Sequence, residues 1–173
     1  RYGQGQIFLN DVDEAIKDVR WCKDHGINGI LLPGVSPDTP WIQPLFDPIY
    51  DPLWAVCQEL EMPITHHGGG SGLPDYGKHP WSTPMYVMEV GFFANRALWH
   101  FVLSGVFDRF PNLQLILTEQ GTGWLTETVA RMDGLHDQMV RGRIGAIGGA
   151  TGATPLKPSE YFRNNAWIGA SFP

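Results

Sequence analysis

The 173-residue chain has a net charge of −6, with 17% charged and 43% hydrophobic residues, which excludes an intrinsically disordered polymer and argues against a nucleic-acid backbone as partner. Gly (21) and Pro (14) make up about a fifth of it, against a usual share of about 12%; without a three-residue repeat this excludes collagen and disfavours a coiled coil. No apolar run approaches the roughly 20 residues that span a bilayer, no secretory signal opens the chain, and the length suggests one domain rich in loops.

In chain order, Asn10-Asp11 reads as a helix start, with Asp13 and Glu14 in the first turn, where carboxylates suit the helix dipole. Val12, Ala15, Ile16, Val19 and Cys22 recur at helical spacing, and Gly26 follows as a cap, with His25 beside it. Residues 27–32 form a short apolar run closed by Pro33-Gly34 and read as a buried strand. Asp51-Pro52 opens a second helix with the apolar face Leu53, Val56, Cys57 and Leu60. A second strand runs from Met62 to His67 and ends in the glycine-rich stretch Gly68 to Gly72. After a long loop to Pro84, an apolar helical stretch covers 85–107, with a weak point at Gly91. The third strand is 113–119, a helix follows over 124–138, Gly142 to Pro155 reads as a loop, and 166–172 is a fourth strand. Strand–helix alternation of this kind predicts a parallel α/β sheet, either doubly wound or part of a (β/α)8 barrel. Cys22 and Cys57 form no Cys-x-x-Cys motif; a disulfide between them is one reading, and two reduced core thiols of a cytoplasmic protein is the preferred one.

The chemistry-bearing residues gather where these strands end, the ligand side of any parallel α/β fold. His66 and His67 occupy adjacent strand positions, so they point to opposite faces, and an imidazole there can ligate Zn2+ or another divalent metal. The bland alternative is a polar pair filling a tight strand end. Gly69 would let a substrate approach the backbone closely. Glu119 ends the third strand and, counting by twos, shares a face with Leu113, Leu115 and Leu117. It is a candidate base, proton donor or metal ligand, and equally a carboxylate placed to cap the next helix. Asp75, His79 and Trp81, in the loop after the His strand, and Ser171, at the end of the last strand, are candidate substrate-binding residues. His100 and His136 sit in helices and read as structural.

Four stretches carry a resemblance: Met62-Pro63-Ile64-Thr65-His66-His67-Gly68, Gly105 to Leu113 (Gly-Val-Phe-Asp-Arg-Phe-Pro-Asn-Leu), Thr118-Glu119-Gln120-Gly121, and Arg131-Met132-Asp133. With them the chain resembles the middle of the amidohydrolase-related family, in the branch of aminocarboxymuconate-semialdehyde decarboxylase and related nonoxidative decarboxylases. The resemblance implies a (β/α)8 TIM barrel with one divalent metal at its C-terminal rim, zinc, with manganese as the alternative. In the family that metal is held by a His-x-His on the first strand, a His ending the fifth and an Asp on the eighth. His67, four residues after Pro63 and just before Gly68, matches the fifth-strand ligand, with His66 as the fallback. Where the family places a catalytic His at the end of the sixth strand, this chain has Glu119.

The chain contains no His-x-His, opens on Arg1 and stops at Pro173 directly after a strand-like run. Both ends look cut. The implied fold is therefore a partial barrel covering roughly strands 3 to 7, with residues 1–173 a fragment of one domain and the first and last strands missing. The implied activity is metal-dependent hydrolysis of an ester, lactone or amide, or decarboxylation of a small carboxylated substrate. Beside it stands a noncatalytic metal- or small-molecule-binding module, or an inactive fragment. The expected partners are a small-molecule substrate and, as in family relatives, a second copy in a homodimer; neither nucleic acid nor membrane is expected.

Overall fold

The computed structural model describes residues 3–35, 39–68, 72–144 and 152–169. Five parallel strands form one sheet in chain order: β1 (Gly5–Gln6), β2 (Ile30–Leu32), β3 (Ile64–His67), β4 (Leu115–Thr118) and β5 (Ala166–Gly169). Between them run α1 (Val12–Asp24), α2 (Asp51–Glu59), α3 (Ser82–Val102), α4 (Val106–Arg109), α5 (Leu125–Val140) and α6 (Pro158–Asn165). Each strand pairs with the next in sequence, the order a barrel requires and a doubly wound sheet does not.

Strand pleating divides the sheet into two chemical faces. Register aligns Ile30, Ile64, Leu115 and Ala166 in one row and Leu32, His66, Leu117 and Ile168 in the next. Most of these are buried under the helices. The opposite face carries Leu31, Thr65, Ile116 and Trp167, then His67 and Thr118. It is more open: Trp167 is exposed and Leu31, His67, Ile116 and Thr118 are half-buried.

Local chemistry sets the elements. The Asp11 carboxylate accepts the Glu14 N–H and starts α1. Ala15, Val19 and Cys22 bury its inner face, and the chain leaves through Gly26 at φ 73°. Pro84 falls in the first turn of α3, where its missing N–H costs nothing. The long helix stays continuous through Gly91 and ends at Leu103, before Gly105 turns left-handed at φ 74° and α4 begins. The break expected at Gly91 therefore lies at Gly105. The short β1, too brief to show a period-two pattern, adds a fifth strand to the four legible in the sequence.

Two of the family-like stretches hold the framework together. Within 105–113, Val106, Phe107 and Leu113 are buried. Arg109 forms a two-pronged ion pair with Asp51 at the start of α2, both distances 2.9 Å. Asp108 accepts a short hydrogen bond from the Tyr161 hydroxyl on α6. Asp133 on α5 accepts the Ser159 N–H at 2.9 Å. Both Cys22 and Cys57 are buried free thiols, and burial pushes Cys57 up to about 12. No helix among the described residues is long and apolar enough to cross a membrane.

Candidate active site

Strands β3 and β4 bring His67 and Glu119 together at the C-terminal edge of the sheet. His67 Nε2 lies 2.8 Å from Glu119 Oε2, with the two side chains 40% and 52% exposed. Period-two counting puts Glu119 on the buried leucine face, and the structure corrects this. Strand β4 ends at Thr118, and Glu119 adopts φ 56° while its N–H donates to the Gly169 carbonyl at 2.9 Å. The left-handed residue breaks the alternation and carries its carboxylate over to the face that His67 occupies. Non-glycine residues in this region are uncommon and cluster at functional sites.

The turn also explains Gly68. A Cβ there would lie 2.6 Å from the Glu119 carbonyl oxygen, so the residue after His67 has no room for a side chain. Adjacent to it, Gln120 is buried and closes the gap between the strand ends. Its amide Nε2 donates to the His66 carbonyl at 3.1 Å and lies 3.5 Å from His66 Nδ1. The indole N–H of Trp124 donates to the Gln120 carbonyl at 2.9 Å. Sequence reasoning passed over Gln120, because a single amide beside an acid gives no spacing signal.

His66 takes the other face, as strand alternation requires. It is 2% exposed. Burial, followed by the neighbouring His100, His67 and Arg96, lowers its pKa to about 4, so its ring is neutral near pH 7. His100 is likewise buried, and burial and Arg96 lower it to about 4.

Asp75, His79 and Trp81 are exposed on the segment between β3 and α3. There Asp75 accepts the Gly77 N–H at 2.8 Å and the His79 N–H donates to Ser82 Oγ at 3.2 Å. Gly69 and Ser171, and residues 145–151 of the expected 142–155 loop, lie outside the described residues. His25 stacks on Trp21 at the end of α1, and buried His136 bonds the Thr154 carbonyl; both are structural.

An imidazole nitrogen and a carboxylate oxygen in contact on an open rim suit a divalent cation as part of its ligand set. Among the described residues no group of three His, Cys, Asp or Glu side chains could hold a metal. A separate polar cleft of about 720 Å3, lined by Gln58, Glu61, Pro63, Asn112 and Gln114, lies by the residues that precede β3 and β4. That is the edge of a parallel barrel associated with stability, away from the His67–Glu119 pair.

Consecutive parallel strands, helices on one face and an imidazole–carboxylate pair at the C-terminal edge define the class: part of a TIM barrel with polar side chains on its C-terminal rim. The chain belongs to the amidohydrolase family, whose model matches residues 3–159. It is similar to the gamma-resorcylate decarboxylase of Rhizobium sp. (strain MTP-10005), 32% identical over 124 residues, which cover 66% of this chain and 37% of that enzyme. In structure it is similar to the 5-carboxyvanillate decarboxylase of Sphingomonas paucimobilis, with a TM-score of 0.67 and 22% identity, over 96% of this chain and 47% of that one. It is also similar to the 5-carboxyvanillate decarboxylase of Novosphingobium aromaticivorans DSM 12444, solved with manganese and 4-hydroxy-3-methoxy-5-nitrobenzoic acid. There the TM-score is 0.70 and the identity 20%, over 98% of this chain and 47% of that one. The chain thus spans less than half the length of these relatives, and the two structural likenesses show the fold alone.

Proposed function

We propose that this chain supplies the fifth- and sixth-strand rim of a metal-dependent nonoxidative decarboxylase acting on a small carboxylated phenol. The observation that carries the reading is the 2.8 Å His67–Glu119 contact at the C-terminal edge of the sheet, in a chain whose relatives include decarboxylases of hydroxylated benzoates. In this reading residues 1–173 are one part of a single barrel domain, roughly its third to seventh strands.

His67 is the metal ligand of the chain. It stands on the open face, whereas His66 is buried on the helix side and engaged by Gln120. The metal is zinc or manganese; when bound it polarises a substrate oxygen. In the reaction the bond between ring carbon and carboxylate breaks, CO2 leaves, and the ring carbon takes up a proton. In this reading Glu119 delivers that proton, a role supported by its position 2.8 Å from His67 at the C-terminal edge of the sheet. Asp75, His79 and Trp81, on the exposed segment that follows β3, are the candidate substrate-binding residues among those described. The reduced, buried thiols suit a cytoplasmic enzyme.

The deciding experiment uses the full-length protein with its metal content determined. CO2 release is followed across a panel of hydroxybenzoates, beside hydrolysis of esters and lactones. Release of CO2 that needs the metal and His67 supports the proposal. Hydrolysis without CO2 release would replace the lyase with a hydrolase, and binding without turnover would leave a noncatalytic module.

A further inference from the structure

Glu119 is fastened on both sides to one atom. Thr118 Oγ1, just before it, and Gln120 Nε2, just after it, both donate to the His66 carbonyl oxygen, at 3.4 and 3.1 Å. That carbonyl belongs to the peptide bond that leads into His67. One oxygen therefore joins the backbone on either side of Glu119 to the backbone from which the His67 ring projects. A non-glycine residue stays in the left-handed region only where its surroundings over-determine it. Tying both neighbours of Glu119 to the same oxygen favours the bent backbone at φ 56° over an extended one.

Of the two donors, Gln120 is the one that a framework role explains poorly. Its side chain is buried, and Oε1 has no hydrogen-bond partner among the described residues. A buried acceptor left unpaired costs stability, and an apolar side chain of similar length would avoid that cost. What the amide supplies in return is its nitrogen, held toward β3 against the His66 carbonyl and 3.5 Å from the His66 Nδ1. From the other side the Trp124 indole N–H donates to the Gln120 carbonyl at 2.9 Å, so the backbone that carries the amide is fixed as well. Asn165 offers the contrast. Its Nδ2 donates to the Pro111 and Leu113 carbonyls, at 2.8 and 3.0 Å, before β4 begins and at the opposite edge of the sheet from His67.

We propose that Gln120 is a positioning residue for the His67–Glu119 pair: its amide N–H, seated on the His66 carbonyl, sets the separation and mutual aim of the imidazole and the carboxylate. It acts through the backbone on both partners at once. Its consequence for turnover rests on the decarboxylase reading of the pair, whereas its consequence for the geometry does not.

The test compares the full-length wild-type protein with Gln120→Met, which keeps length and removes the donor, and with Asn165→Leu, which removes a buried amide of the framework. In crystals of Gln120→Met the His67–Glu119 contact should open beyond hydrogen-bond distance. Its melting temperature should barely move, because the unpaired acceptor leaves with the donor. CO2 release should fall by about 10- to 100-fold in kcat, the usual effect of a group that orients a metal site from behind, with KM nearly unchanged. Asn165→Leu should do the reverse, lowering the melting temperature and leaving both the contact and kcat intact. A Gln120→Met protein that keeps the 2.8 Å contact, or whose kcat falls only in step with its melting temperature, would overturn the proposal. If Gln120→Met fails to fold, Gln120→Leu carries the same comparison, and failure of both makes Gln120 part of the framework and overturns it too. A wild-type protein that releases no CO2 would sink the decarboxylase reading alone, and the crystallographic contact then decides this inference by itself.

Discussion

Glu119 reaches His67 across 2.8 Å because its backbone leaves β4 in the left-handed region, at φ 56°. Position and strain have one origin, and they separate by substitution. Glu119→Gln keeps the backbone and removes the charge; kcat should fall by about 10²- to 10⁴-fold, the usual contribution of a general acid or base, with metal content retained. His67→Ala should instead lower metal content, read by elemental analysis. Glu119→Gly should abolish turnover while raising stability by about 1 kcal/mol, because glycine takes positive φ without steric cost. Parallel loss of metal and turnover in Glu119→Gln would make Glu119 a ligand.

Gly68 supports that arrangement from below. Its absent Cβ leaves room for the Glu119 carbonyl oxygen, which an alanine methyl would meet at 2.6 Å. The obstacle is backbone, so it cannot swing aside as a flexible side chain can. Gly68→Ala should cost on the order of 2 kcal/mol in urea melts and reduce turnover by displacing Glu119. An alanine variant with wild-type melting and kcat would show that the two strand ends part freely.

Two buried histidines give the protein an acid-sensitive stability. Burial, with Arg96 as the second cause for His100, holds both His66 and His100 at about 4, against about 6.5 in an unfolded chain. Above pH 6.5 both states are neutral at these sites and stability is full. As pH falls from 6.5 toward 4, the unfolded chain binds protons that the folded one refuses, so each histidine removes about 1.4 kcal/mol per pH unit. His100→Asn leaves an acceptor for the Leu45 N–H that now meets His100 Nδ1 at 3.4 Å, and should remove one proton from the slope. Urea melts at pH 7, 6 and 5 measure it; an unchanged slope would sink the assignment.

The legible parts of this molecule are those where one local signal suffices. Asp11 with its first-turn carboxylates, the apolar rows of β2 to β4 and the exit at Gly26 are each written in a few neighbouring residues. The opposite orientations of His66 and His67 followed from pleating alone. The orientation of Glu119 did not, because alternation ends where the strand ends, and Thr118 and Glu119 carry nothing that announces a left-handed turn. The role of Gln120 was equally hidden, since its partner is a backbone carbonyl 54 residues away. The stretch from Gly105 to Leu113 carries part of the family resemblance, yet its charged residues serve the framework: Arg109 holds α2 and Asp108 holds α6.

The smallest strand rests on the most crowded contact. An added Cβ at Gly5 would sit 2.2 Å from Cys22 Sγ, with the Cys22 Cβ at 3.6 Å. Gly5 bonds back to β2 through its N–H and the Gly29 carbonyl at 3.0 Å, so strand pairing resists a shift away from α1. The sulfur is buried, and in a close-packed core a displaced side chain presses on its neighbours. Gly5→Ala should therefore cost about 1–3 kcal/mol, the range of overpacked cores. Cys22→Ala alone should cost a similar amount by leaving space where the sulfur packed. Combined, the two substitutions exchange one heavy atom for another across the α1–β1 contact, and the double variant should be more stable than the sum of the singles by at least about 1 kcal/mol. Denaturant melts of all four proteins give that coupling directly. Strict additivity would mean that β1 yields, and that the first strand is held by its ladder to β2 more than by its packing on α1.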